Sequence, residues 1–152
     1  MAMGLVGLVV RALRADAGVT AITPRIAGGG LDPIWPKPDP RPCVVVVGST
    51  PGRAPWGPGS SRLGLQEQLV FVRCYGGGGT PSDERAAVRS SEQLRGAVTD
   101  ALHDKGIRRF TGGKAIFLSD ALSGGGPSTE PETRWPLDTG SFRIVGPAQA
   151  VA

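Results

Sequence analysis

The sequence predicts an α+β fold: one mostly antiparallel four-stranded sheet covered by two main helices, in the order α-β-β-α-β-β, with long Gly/Pro-rich loops. Three observations carry this. Two segments repeat apolar residues at the helical period, four runs are β-branched or alternating, and Gly and Pro gather between them. With 152 residues, of which 24 are Gly and 14 Pro, the chain is expected to form a single domain over 1–152 around one core.

The first helix is expected over 4–17, where Leu5, Leu8, Val9, Ala12 and Leu13 mark one face and Arg11 and Arg14 lie off it. "DAGV" closes it, with Gly18 as the left-handed residue after the last turn. Six prolines make 24–42 an extended connector, in which Trp35 packs back onto the core. "CVVVVG" at 43–48 is apolar on both faces and reads as a central strand. A long loop over 49–64 follows, richest in Gly, Pro and Ser at 49–62. The next run, "LGLQEQLVFVRCY", sets Leu69, Phe71 and Tyr75 on one side and Val70, Val72 and Cys74 on the other. It pairs antiparallel with 43–48 as a hairpin.

Thr80 and Pro81 suit the N-cap and first turn of the second helix, and Asp83 and Glu84 its positive end. Ala87, Ser91, Leu94, Val98, Ala101 and Leu102 form its inner face, with Arg85, Arg89, Glu92 and Arg95 outside, and Gly106 ends it. "KAIFLSDAL" (114–122) is the third strand and "TGSFRIVGP" (139–147) the fourth, joined by a long loop over 120–138 that is Gly/Pro-rich at 123–138.

Strand, glycines and helix at "CYGGGGTPSDERAAV" raise the question of a phosphate-binding loop, since helix N-termini present free N–H groups to anions. Such a loop needs Lys and then Ser or Thr after its last glycine; here Thr80 and Pro81 follow, and Asp83 and Glu84 bring negative charge. The glycines read instead as a flexible crossover from strand to helix. His103 is the single histidine, late in a helix, and suits a charge–dipole contact more than general-base work. Glu67 stands without a second carboxylate at fixed spacing. No catalytic, cofactor or metal site is expected, and the chain does not read as an enzyme. Cys43 and Cys74 lack metal-ligand spacing and are expected to be buried thiols that stay reduced even where the hairpin allows them to lie near each other. The apolar run near the N-terminus is short and interrupted by Arg11 and Arg14, so neither signal peptide nor membrane span is expected, and the chain reads as soluble.

The order of elements carries a resemblance. "VGLVVRALRADAGVTAIT", then "RPCVVVVG", then "LQEQLVFVRCYGGGGTPSDERAAVRSSEQLRGAVTDAL" and a late "TGSFRI" together resemble the tail terminator (tail completion, minor tail) proteins of long-tailed, siphovirus-like phages. The resemblance covers residues 4 to 146 and departs from the family's look in the Pro/Trp-rich insert at 31–42 and the loop at 49–62. It implies a virion protein at the neck, assembled in the host cytoplasm. As a ring of about six copies it caps the tail tube protein, stops polymerisation and meets the head–tail connector or stopper, with genome DNA only passing through the lumen. Closure of the ring would satisfy strand edges that otherwise aggregate.

Candidate interface residues follow from the loops that such a subunit presents. Each of these loops holds one tryptophan, Trp56 or Trp135, a residue enriched in interfaces, and Arg53, Arg62 and Arg134 are the candidates that accompany them. The alternative is that each indole folds back over its own sheet. A head-completion or stopper protein is the nearest rival function. A basic nucleic-acid-binding module is the more distant one, since net charge is +4 but the fourteen arginines are scattered.

Overall fold

A computed structural model describes residues 4–28, 41–49, 52–53, 65–77, 84–103, 107–110, 114–116, 118–129 and 135–147. Helix α1 (Leu5–Ala15) is followed by a single-turn α2 (Ala17–Thr20), and α3 (Glu84–Leu102) is the long helix. Gly18 is not the residue that ends α1. Asp16 turns extended instead, and its carboxylate caps α2 by accepting from the Val19 amide at 3.0 Å. The proposed cap residues of α3, Thr80 and Pro81, and its proposed stop at Gly106 lie outside the described residues.

The sheet is larger than the four strands expected. Among the described residues it has six: β1 (Ile26–Gly28), β2 (Cys43–Gly48), β3 (Gly52–Arg53), β4 (Leu65–Tyr75), β7 (Leu118–Thr129) and β8 (Pro136–Pro147). The order is β1-β2-β4-β8-β7, with β3 beside β4 on the same flank as β2. All pairs are antiparallel except β1 with β2. The hairpin of β2 with β4 forms as expected, with Cys43 opposite Tyr75 and Val44 opposite Cys74. That register sets the two cysteines on opposite faces of the sheet, because adjacent positions alternate. Both are buried and free.

The run 114–122 is not one strand. It divides into β6 (Lys114–Ile116), which pairs with β5 (Arg108–Phe110) in a separate two-stranded ribbon, and the start of β7. Much of the span 120–138 is likewise strand and not loop, since β7 runs to Thr129 and β8 begins at Pro136. β7 accommodates its glycines and Pro127 by slipping register twice, between Ala121 and Ser123 and between Gly124 and Pro127. The connector 24–42 similarly hides β1, whose Ile26 and Ala27 are buried. The Thr23 hydroxyl ties β1 to β2 at their entry, donating to the Pro42 carbonyl at 2.6 Å and accepting from the Arg25 amide at 3.1 Å.

Both main helices lie on one face of the sheet. Leu8, Val9 and Leu13 of α1 and Leu94, Val98 and Leu102 of α3 are buried against Val44, Val46, Val70, Val72, Phe142 and Ile144. Every inner-face residue expected of α3 is buried, Ser91 included, its hydroxyl donating to the Val88 carbonyl at 2.7 Å. On the far face a smaller cluster gathers Cys43, Val45, Tyr75 and Leu137.

Candidate assembly surface

The glycines that open the strand-to-helix crossover meet a packing demand. Gly76 is buried beneath α3, where a Cβ would overlap the Ala87 carbonyl oxygen and approach the Ser91 nitrogen to 2.8 Å. A Cβ on Gly77 would overlap Arg41 and reach the Pro42 nitrogen at 3.2 Å. Close backbone approach, more than flexibility, is what requires glycine at these two positions. Gly78 and Gly79 lie outside the described residues.

One charge is set into the helix-facing side of the sheet. Asp138 on β8 is buried, and Arg95 Nε of α3 lies 2.8 Å from its Oδ2. Neither Asp138 oxygen receives a well-aligned hydrogen bond, so the pair is held by charge more than by direction. Cys74, directly opposite Asp138 in the sheet, has its thiol pKa pushed far above the ordinary 9.0, first by burial and then by the Asp138 carboxylate, with Arg95 opposing. Burial and the carboxylate both favour the protonated thiol, the form that is not a nucleophile.

The far face carries a different set. Glu67 on β4 is not isolated: its Oε1 accepts from Arg143 Nε of β8 at 2.7 Å, with both side chains partly exposed. Beside them Leu69 is 40% exposed and Arg73 exposed, while Phe71, Val47, Thr139 and Ser141 are half-buried. Arg85 and Arg89, one turn apart on the outer side of α3, line an open groove of about 490 Å³ with Val88 and Glu92.

Of the candidate interface residues, Trp135 is half-buried where β8 begins. It packs on the chain's own small cluster, with its ring edge-on to Tyr75 at 6.2 Å and the Arg41 guanidinium 4.4 Å above it. Arg53 has its backbone in β3. Trp56, Arg62 and Arg134, like Trp35 of the connector, lie outside the described residues. Of the five candidates, the described residues therefore include only Trp135 and the backbone of Arg53. His103 does not act as a bare end charge; its Nδ1 accepts from the Ala121 amide at 3.1 Å. Among the described residues no three His, Cys, Asp or Glu side chains come together as a metal site.

No protein-family model matches the chain, and no curated protein does. A solved structure does match. A chain of the virion of a native gene transfer agent (GTA) particle superimposes with a TM-score of 0.61 at 16% identity, over 95% of each chain. The fold is shared from end to end. At this identity the likeness establishes the architecture, a mixed sheet with helices on one face.

Proposed function

We propose that this chain is a structural virion protein of a phage-like particle, and that its place is the top of the tail. There it acts as a tail terminator: a ring, of about six copies, that caps the tail tube, stops its polymerisation and offers the surface on which the head is joined. The observation that carries the reading is the full-length fold shared with a chain of the GTA virion. The residue pattern of the tail terminator family, running from the first helix to the closing strand, supports the finer assignment.

The work of such a protein is geometric. A subunit with one closed, helix-packed face and one face of mixed Leu, Phe, Arg and Glu has a rigid body and a separate surface for neighbours. Electron microscopy of particles assembled without this protein tests the assignment. Overlong tails lacking heads are expected. Normal-length tails beside heads that leak DNA would move the chain to the stopper ring of the same neck. Intact, joined particles would remove it from the neck altogether.

A further inference from the structure

The two terminal strands of a sheet expose main-chain groups that invite another chain to add a strand. Among the described strands β1 and β7 are the terminal ones, and each has such a group held by a side chain near or just past the end of a helix. At β1, the Arg25 carbonyl accepts from the Val44 amide at 2.9 Å, so the alternation of a parallel ladder turns the next carbonyl, that of Ile26, away from β2. Arg14, near the end of α1, takes that outward carbonyl with two N–H groups, Nε at 3.0 Å and Nη2 at 2.6 Å. At β7, the Ala121 amide points away from β8 and donates to His103 Nδ1, just past the end of α3. Ser119, two residues earlier, donates through its hydroxyl to the Leu102 carbonyl, anchoring the helix end to the same stretch.

The rest of β7 is also ill-suited to strand addition. A register slip at Leu122 and a second before Pro127 break the flat repeat of donors, and Pro127 has no N–H to offer. β1 has only three residues, and α1 packs so closely over it that a Cβ on Gly28 would meet Val6 and Val10 at 3.2 and 3.3 Å.

We propose that Arg14 and His103 are edge guards. They occupy outward main-chain groups of the two terminal strands, so that the free subunit cannot extend its sheet into a second copy. Contacts between copies are thereby left to side chains. A subunit that must close into a ring and not run on into fibres has need of such a device. The proposal concerns the isolated chain, so its outcome is independent of whether particles lacking the protein show the tail phenotype above.

The test compares wild type with Arg14→Met, His103→Ala and the double variant. Melting temperature, sedimentation velocity and the infrared signal of intermolecular sheet are measured at matched concentration. Hydrogen exchange at the Ala121 amide is followed in parallel. His103→Ala should speed exchange at Ala121 by about tenfold or more while the melting transition stays in place. The double variant should form larger, sheet-paired species that wild type does not, and Arg14→Lys, which keeps a donor and a charge, should behave as wild type. A double variant with the size distribution of wild type overturns the proposal, as does unchanged exchange at Ala121. Loss of the native melting transition in both single variants would also overturn it, assigning the contacts to fold stability alone.

Discussion

The same strands build both faces of the sheet, yet the two faces follow different rules. Toward the helices, Val70, Val72 and Cys74 of β4 are buried with Phe142 and Ile144 of β8, and the charge among them, Asp138, has Arg95 beside it. On the far side the middle of the same two strands presents Glu67, Leu69, Phe71, Arg73, Ser141 and Arg143, all exposed or half-buried. One face is constrained atom by atom, because a gap or an overlap there has nowhere to relax. The other is constrained where Cys43, Val45, Tyr75 and Leu137 close a small cluster at one end and where Val145 is buried toward the other. Substitutions should therefore divide sharply by the side on which they fall.

The largest effect is expected at a glycine. Gly76→Ala drives a methyl into the α3 backbone, which cannot rotate aside, and should cost more than about 3 kcal/mol in urea unfolding. Gly96, on the exposed side of the same helix, has nothing within 4 Å of where its Cβ would be. Gly96→Ala should stabilise by about 0.5–1 kcal/mol, through helix propensity and the unfolded chain. Equal effects from the two would dissolve the contrast between packed and open positions on the helix side of the sheet.

Next comes the charge inside the packed face. Arg95→Met strands the Asp138 carboxylate in a buried site, at a cost of about 2 kcal/mol, below the range for a fully buried pair because Arg95 is one-third exposed. Replacing both, as Arg95→Met with Asp138→Leu, should recover most of that loss. If the double variant is no better than the single one, Asp138 is held by something other than charge.

How much of this was legible in the sequence depends on what each element had to bury. α1 and α3 announced themselves because their apolar residues recur at the helical period, and β2 because it is apolar on both faces. β1 stayed hidden because three residues among prolines carry no periodicity. The far half of β7 was masked because "SGGGPST" spells turn, and only an edge strand that slips its register can hold such residues. The ion pairs were out of reach for another reason: Arg95 with Asp138 and Glu67 with Arg143 depend on registers that no local pattern encodes. A carboxylate at 138, in phase with Phe142 and Ile144, was the one available hint of a buried charge. The indole at 135 was ambiguous in the sequence, since an aromatic in a Gly/Pro-rich stretch is consistent with an interface or with a cluster such as the one it joins.

A pH dependence sharpens the comparison further. The Cys74 thiol stays protonated in the fold, whereas in the unfolded chain it ionises near its ordinary 9.0. The raised folded pKa means that this group's contribution to stability is complete below that value and is lost as pH climbs above it. The slope approaches about 1.4 kcal/mol per pH unit. Urea denaturation at about pH 8 and about pH 10 should show wild type losing more than Cys74→Ala by roughly that amount per unit above the thiol's ordinary value. Parallel losses in the two proteins would mean that Cys74 ionises in the fold and that the packed face admits water there.

The smallest effect should come from the far face. Glu67 and Arg143 meet at 2.7 Å across neighbouring strands, but both side chains keep about a quarter of their surface in water. Solvent screens such a pair, and ordering two long side chains offsets part of the Coulomb gain, so a coupling of about 0.2–1 kcal/mol is expected. A double-mutant cycle with Glu67→Ala and Arg143→Ala isolates that coupling from whatever packing the two stems provide. The same cycle run at high salt should shrink it further, since screening acts on exposed charges first. A salt-insensitive coupling above about 2 kcal/mol would place the pair in a low-dielectric setting. The far face would then be as constrained as the one beneath the helices, and the surface available for assembly would have to lie elsewhere.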